Sequence, residues 1–360
     1  MDNKVSEAIK FARFPLALLI IFKHYYTNDI VVRDNLPIYS SLGRFSTDYF
    51  PAFVVPLFFF ISGYLFFQGI DNKLIGFNSY SWNIYKTKIS RRIKSLLIPY
   101  LAWNFIVLTF LIIAQLVSSD SFQPFSKSLS EFTIIDFFNS FWGISADGYP
   151  IDGPLWFIRD LFIICLFTPV IFFWVRYTRL FGLLLLIVLY LSIGKMLPVG
   201  PSTTCQFFFC FGASSCLLSN DLVTSFSKIN YKLSASVLII LLVIFSLCEK
   251  GTTQFSYLLR LYRFASVIFL WPILIKYCYL SKNEIISSLS NATFFIFASH
   301  KPLMYVISIL IFSVFKPDNE FILCALILII PLITCMICLL GFYFMKRFMP
   351  SLKFLNGYRL

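Results

Sequence analysis

Two histidines are the residues of this chain whose type and placement most clearly suggest chemistry. His24 and His300 are the only histidines, and both lie within long apolar stretches. An imidazole gives and takes a proton near pH 7, so a pair could act as general base or transient acyl carrier in acyl transfer. The alternative is that both are structural histidines. Lys301, directly after His300, could stabilise a developing oxyanion.

Arg13 precedes His24 by eleven positions, close to three helical turns, so both side chains lie on one face of the first predicted helix. Their separation along the helix axis is about 16 Å. The apolar residues between Arg13 and Lys23 are too few for a membrane span, which needs roughly 20. We therefore predict that this helix covers about 10–32, which leaves His24 at membrane depth. The face could form a polar path, or Arg13 could simply reach lipid head groups.

A second group of polar residues opens a later apolar run. The stretch GPLWFIRDLF places Trp156, Arg159 and Asp160 just inside that run. A single charge at this depth would be costly, so Arg159 and Asp160 are expected to pair. The pair could be purely structural, or the three residues could form the substrate-binding rim of an active site and stabilise an oxyanion.

A basic cluster, Lys88, Arg91, Arg92 and Lys94, lies in a stretch that interleaves basic and apolar residues over about 80–95. This pattern predicts an amphipathic helix at the membrane interface. The cluster could bind anionic lipid or the phosphates of coenzyme A, which arginine can bind in a bidentate way. Spacing alone favours lipid.

Composition places these residues in a membrane. Of 360 residues, 59% are hydrophobic and 13% are charged, and apolar runs of about 20 residues recur along the chain. We predict an all-α, polytopic membrane protein with one domain over 1–360, about ten transmembrane helices and the interfacial helix. The first helix is expected to be retained rather than cleaved as a signal peptide. The predicted spans are 10–32, 50–69, 96–117, 154–174, 180–197, 201–218, 233–249, 257–278, 290–314 and 320–345.

Loop charges predict the orientation. Most Lys and Arg residues fall on one side of the predicted spans, which places both termini in the cytoplasm, with a cytoplasmic tail over about 346–360. The net charge of +13 is therefore attributed to topology and the lipid bilayer and not to nucleic-acid binding. The outer loop, about 118–153, contains Trp142, Tyr149 and several carboxylates. It could cover a carbohydrate or merely anchor at the membrane surface.

Two further patterns favour packing. Ser62 and Gly63 lie in the apolar stretch VVPLFFFISGYLFF, where small residues allow helices to approach closely. The nine cysteines lie almost entirely in apolar runs, where cysteine behaves as a small hydrophobe. Cys335 and Cys338 form a C-x-x-C pattern with no second pair or histidine nearby, so we predict no metal site.

Five ordered stretches together resemble the acyltransferase-3 family of bacterial integral-membrane O-acyltransferases. They are Arg13-x10-His24, VPLFFFISGY, RRIKSLLIPY, PLWFIRDLF and FFIFASHKPL, and the resemblance spans about 5–310. It implies transfer of an acyl group, usually acetyl, from cytosolic acyl-CoA to a hydroxyl of an envelope polysaccharide or lipid-linked sugar at the bacterial cytoplasmic membrane. It also implies that Arg13 and His24 are required. This chain has Arg91-x-x-Lys94 where members have Arg-x-x-Arg.

The working hypothesis combines these residues into one path. Arg13 and the basic cluster would bind the phosphates of acetyl-CoA or another acyl-CoA, and the thioester arm would reach His24. The carbohydrate acceptor would approach from the outer side, and a glycan-assembly partner protein is conceivable because some relatives carry an additional outer domain. The alternatives are a transporter or flippase for a lipid-linked glycan and a membrane scaffold. The sequence does not indicate an oligomeric state.

Overall fold

The described part of the chain is helical throughout, with no strand. The computed structural model describes residues 3–27, 30–33, 35–70, 82–117, 131–143, 148–193, 201–218 and 221–358. Its α-helices are α1 (Asn3–Tyr25), α2 (Pro37–Arg44), α3 (Val54–Phe67), α4 (Trp82–Arg92), α5 (Ile98–Val117), α6 (Ile134–Trp142), α7 (Trp156–Leu166), α8 (Thr168–Ser192), α9 (Thr203–Leu217), α10 (Leu222–Phe226), α11 (Tyr231–Ser246), α12 (Thr253–Tyr277), α13 (Glu284–Phe315) and α14 (Glu320–Phe348).

Within these residues, six helical runs are long and apolar enough to cross a membrane, which confirms a polytopic helical membrane protein. The six runs are Pro37–Phe67, Trp82–Leu116, Thr168–Ser192, Thr253–Lys282, Glu284–Phe315 and Glu320–Phe348. Three shorter helices at predicted spans, α7, α9 and α11, have 11, 15 and 16 residues, fewer than the roughly 20 of a full span, and α11 is an apolar helix. The total of ten spans and the cytoplasmic termini therefore remain predictions.

The first helix has other bounds than those predicted. α1 begins at Asn3 instead of at about residue 10. It ends at Tyr25 instead of continuing to about residue 32. The Thr27 hydroxyl donates a 3.0 Å hydrogen bond to the His24 carbonyl and so occupies one of the last carbonyls of the helix. His24 consequently lies in the last turn of α1.

The segment after α1 packs over this last turn. The run Pro37–Phe67 contains a π-helical stretch, Phe45–Tyr49, and a 3₁₀ stretch, Phe50–Phe53, before α3 begins. Lys23 Nζ donates a 3.0 Å hydrogen bond to the Thr47 carbonyl of the π-helical stretch. The end of α1 is therefore tied to a neighbouring segment instead of extending into a longer helix.

Two predicted boundaries between helices are modified. The interfacial stretch is not separate from the next span, because α4 continues through a π-helical turn, Ile93–Leu97, into α5; residues 80 and 81 lie outside the described part. No residue of α4 is buried, as expected for a surface helix. The predicted break between 174 and 180 appears inside α8 as a kink at Arg179, whose φ is 49°.

Close packing between α3 and α9 is confirmed at Gly63. A Cβ atom on Gly63 would lie 2.1 Å from the Phe209 carbonyl oxygen, and one on Gly212 would lie 2.0 Å from the Phe60 carbonyl oxygen. Each glycine therefore lets the backbone of the other helix approach, as small residues do in membrane bundles. On the other side of α3, α1 packs along α13, with α12 and α14 beside it, and this arrangement brings the two histidine-bearing helices together.

Candidate active site

The two histidines are neighbours in the structure. Their ring centroids are 5.4 Å apart, and the ring planes are inclined by 38°. His24 comes from the last turn of α1 and is half-buried, whereas His300 comes from the middle of α13 and is 0% exposed. The sequence predicted comparable depths for the two rings, and their direct contact is a result of how α1 packs on α13.

The hydrogen bonds of His300 determine its tautomer. Nδ1 lies 2.7 Å from the Phe297 carbonyl oxygen, which can only accept, so Nδ1 carries the proton. In a neutral ring Nε2 is then an acceptor, and it is buried with no hydrogen-bond partner among the described residues. The ring of His24 likewise makes no hydrogen bond within the described part of the chain. Both rings thus have a nitrogen without a hydrogen-bond partner among the described residues. Such nitrogens are available for proton transfer.

A cavity of about 130 Å³ lies along α1 below the histidine pair, towards the predicted cytoplasmic end. Its polar lining residues are Arg13, Arg92, Ser62 and Thr293. The other lining residues are apolar: Ile9, Leu16, Ala17, Phe58, Ile61, Leu65, Leu96, Phe157, Ile158, Leu161, Phe294 and Phe297. An apolar cavity that carries two cations fits a ligand with an anionic group and an apolar chain.

Arg13 has no bonding partner within the described residues. It makes no hydrogen bond or ion pair there, although the guanidinium has five N–H donors. Arg92 lies over the ring of Phe66, with 5.7 Å between its guanidinium carbon and the ring centroid. Cations held in an apolar wall without carboxylates favour an anionic ligand.

The cavity and the histidine pair share two helices. Leu16 and Ala17 continue the cavity along the face of α1 that leads from Arg13 towards His24. On α13, Phe297 lines the cavity, its carbonyl binds His300 Nδ1, and its ring centroid is 6.1 Å from that of His300. The cavity therefore reaches Ala17 on α1 and Phe297 on α13, and the remainder of the path to His24 stays a prediction.

The other members of the basic cluster do not line the cavity. Lys88 donates hydrogen bonds to the carbonyls of Phe66 and Gln68, and Arg91 and Lys94 are exposed. Arg92 alone of the four turns towards Arg13. The sequence could not separate Arg92 from Arg91, because the distinction depends on which side of α4 packs against α3.

Arg159 and Asp160 form the expected ion pair, with 3.0 Å between Nη2 and Oδ1. Arg159 Nη1 also donates to the Trp142 carbonyl at 2.7 Å, and Asp160 Oδ2 accepts from the Ser202 amide at 2.8 Å. Asp160 is 2% exposed. The pair thereby joins the predicted outer segment to α7 and to the start of α9, which favours the structural alternative for these two residues.

Trp156 and Lys301 lie nearer the site. The Trp156 ring contacts Tyr149, with centroids 6.3 Å apart, and Phe59 at 6.2 Å. Lys301 lies against Gly153, where a Cβ atom would come within 2.8 Å of Nζ. Both residues thus lie where α7 and α13 meet the predicted outer segment, and Lys301 directly follows His300 in sequence.

Asp152 was not singled out from the sequence, because an aspartate before Gly-Pro is typical of an ordinary turn. It is 2% exposed, its amide donates to Asn104 Oδ1 at 3.1 Å, and its Oδ2 has no partner in the described residues. Burial raises the pKa of Asp152 to about 8, and the cation of Lys301 acts in the opposite direction.

The predicted outer loop is only partly described, since Asp120, Lys127 and Asp147 lie outside the described residues. Its helix α6 buries Asp136 in a capping box with Thr133. The same helix leaves large apolar side chains exposed, namely Ile134, Ile135, Phe138 and Trp142. This apolar face agrees with contact to a membrane surface, and nothing in it assigns a sugar site.

A family model described as "Acyltransferase domain" (acyltransferase-3) matches residues 6–346 of the chain. The match includes Arg13, the walls of the cavity and both histidines. No curated protein and no solved structure is significantly similar to the chain.

Proposed function

This chain belongs to the acyltransferase-3 family, and from that premise we propose that it transfers an acyl group, most often acetyl, from cytosolic acyl-CoA to a carbohydrate hydroxyl. The acceptor would be an envelope polysaccharide or a lipid-linked sugar, and the site of action the bacterial cytoplasmic membrane. One observation carries the proposal: Arg13, which has no bonding partner among the described residues, lines an apolar cavity on the face of α1 that also carries His24, and the His24 ring contacts that of His300.

The donor would bind with its phosphates at the cavity. Arg13 and Arg92 supply two guanidinium groups, which bind phosphate in a bidentate way and stay charged in an apolar wall. The thioester arm would extend along Leu16 and Ala17 towards His24, over an axial distance of about 16 Å. Lys88, Arg91 and Lys94 would attract the anionic donor to the membrane surface and would not contact it once it is bound.

His24 would act as the general base on the acceptor hydroxyl. It takes the hydroxyl proton while the oxygen attacks the thioester carbonyl; the carbon–sulfur bond then breaks, and the thiolate takes the proton back from His24. The open Nε2 of His300 is available to accept a hydrogen bond and so to stabilise the protonated His24. Lys301 would stabilise the oxyanion, and Trp156 would contact the acceptor.

The test is the consumption of radiolabelled acetyl-CoA by the purified protein. We expect the wild type to hydrolyse it slowly or to become labelled, and His24→Ala to do neither while coenzyme A still stabilises both proteins against heat. Undiminished acyl transfer by a correctly inserted His24→Ala variant would contradict the mechanism. Binding of coenzyme A without consumption of acetyl-CoA by the wild type would indicate another acyl group, and absence of binding would contradict the donor site.

A further inference from the structure

The C-terminal segment, predicted as a cytoplasmic tail over about 346–360, packs against the helical bundle. α14 continues to Phe348, and a 3₁₀ segment, Pro350–Asn356, follows it. Asn356 is 0% exposed and Leu355 is buried. A buried amide is costly unless it is hydrogen-bonded, so the surroundings of Asn356 need an explanation.

Asn356 bonds two backbone groups of α13 at the same time. Its Oδ1 accepts a 3.0 Å hydrogen bond from the Phe295 amide, and its Nδ2 donates a 3.0 Å hydrogen bond to the Asn291 carbonyl. These two groups are four residues apart and are the ones that an α-helix joins to each other. The side chain therefore fixes one particular turn of α13, over 291–295.

The same C-terminal segment also contacts α5 and the turn that precedes it. The Leu355 carbonyl accepts a 2.9 Å hydrogen bond from Trp103 Nε1 of α5, and the Trp103 ring packs edge-on against Phe295 with centroids 5.3 Å apart. Gly357 has a φ of 61°, and a Cβ atom there would lie 2.8 Å from the Ser95 carbonyl oxygen. The C-terminal segment thus bridges the turn before α5 and the turn of α13.

Both of these turns form the wall of the cavity that contains Arg13. Thr293 and Phe294 lie inside the turn held by Asn356, and Leu96 follows Ser95. Phe297 follows the held turn on α13, lines the cavity and binds His300 Nδ1 through its carbonyl. A displacement of this turn would move the cavity wall and the imidazole together.

We propose that Asn356 is a positioning residue of the donor site, through which the C-terminal segment sets the shape of the cavity and the placement of His300. This inference rests on the proposed function, since it takes the cavity to hold acyl-CoA. Asn356 itself does not touch the donor; it acts through α13. Its loss should therefore weaken donor binding more than it slows the chemical step.

The experiment compares wild type, Asn356→Ala and Lys353→Gln in the purified full chain. Amide hydrogen exchange over residues 291–297 and the KM and kcat for the acyl donor are the readouts. We expect Asn356→Ala to exchange faster in this turn only and to raise KM for the donor about five- to tenfold, the loss of one or two buried hydrogen bonds. Lys353 is exposed on the same segment, and Lys353→Gln should match the wild type.

A second variant guards against misfolding of the first. Trp103→Phe keeps an aromatic ring against Phe295 but removes the donor to Leu355, and it should change exchange and KM in the same direction by less. Unchanged exchange and unchanged KM in folded Asn356→Ala would overturn the proposal. A wild type that binds no coenzyme A would overturn the donor-site role together with the proposed function, while faster exchange in Asn356→Ala would still support the hold on α13.

Discussion

Arg13 and Arg159 are both arginines inside helices of an apolar bundle, yet their surroundings are opposite. Arg159 is bonded to a buried carboxylate and to a backbone carbonyl of the predicted outer segment. Arg13 has no partner among the described residues and faces a cavity. A membrane protein keeps a charge at such a site only for a compensating contact. For Arg159 that contact is structural, and for Arg13, which has no partner among the described residues, we expect it to come from the donor proposed above.

The largest effect is expected at the bonded arginine. Arg159→Leu leaves Asp160 buried without its cation, and breaking such a pair costs about 3–5 kcal/mol. The free energy of unfolding in detergent should fall by that amount. The double variant Arg159→Leu with Asp160→Asn removes the buried charge as well, and it should recover a large part of the loss. Equal stability of the single variant and the wild type would contradict the structural role.

The unpartnered arginine should behave in the reverse manner. Arg13→Gln removes a charge-assisted contact to the donor phosphates, so we expect about a hundredfold loss in kcat/KM for the donor, which is about 3 kcal/mol. Since Arg13 has no bonding partner among the described residues, we expect the free energy of unfolding to stay the same or rise. A marked loss of stability would show that Arg13 is structural, like Arg159.

Two buried carboxylates extend the comparison. Asp160 is paired, whereas Asp152 has an oxygen without a partner in the described residues, and its pKa is raised to about 8. A raised pKa means that the protonated form is favoured on folding. The stabilisation of the folded state by protonated Asp152 is therefore complete below about pH 4 and is lost as the pH rises through 8. The free energy of unfolding falls by at most about 1.4 kcal/mol per pH unit in this range.

The corresponding measurement is stability against pH for the wild type and Asp152→Asn. The amide cannot ionise, so the variant should lose the part of the decline between pH 4 and 8 that Asp152 causes. Parallel curves for the two proteins would mean that Asp152 does not titrate in this range. Unfolding monitored by tryptophan fluorescence in detergent is sufficient for this comparison.

The smallest effect separates two adjacent arginines of α4. Arg92 lines the cavity with Arg13, and Arg91 is exposed. Arg92→Gln should raise KM for the donor about tenfold, whereas Arg91→Gln should change it by less than about twofold. Equal effects of the two substitutions would indicate that the cluster attracts the donor through its summed charge and not through contact by Arg92.

Local periodicity was sufficient for part of the site. The spacing of Arg13 and His24 placed them on one face of a single helix, and the kink at Arg179 lies next to the break predicted from hydropathy. The contact between His24 and His300 could not be predicted, because it depends on the packing of α1 against α13 and not on any local pattern.

The ends of helices and the hydrogen bonds of side chains were predicted less well from the sequence. The end of α1 is set by the Thr27 hydroxyl and by Lys23 bonding to Thr47, interactions that a hydropathy argument does not contain. The sequence does not predict the bonds of Asn356 to α13, because a single polar residue near a basic terminus gives no local signal of contact with another helix. Patterns along the chain predict which residues share a helix face and how deep they lie in the membrane. Tertiary hydrogen bonds decide which polar side chains are left without a protein partner.

The paired glycines of α3 and α9 have a mechanical consequence. At Gly63 and Gly212 each backbone occupies the space of the missing side chain on the other helix. Sliding either helix along the other would push a backbone carbonyl oxygen into the backbone of the opposite helix. The pair α3 and α9 is therefore rigid, and α3 lines the cavity. Any widening of the cavity is then expected where α1 packs on α13. Because Asn356 holds the 291–295 turn of α13, the helix expected to shift is α1, which carries His24.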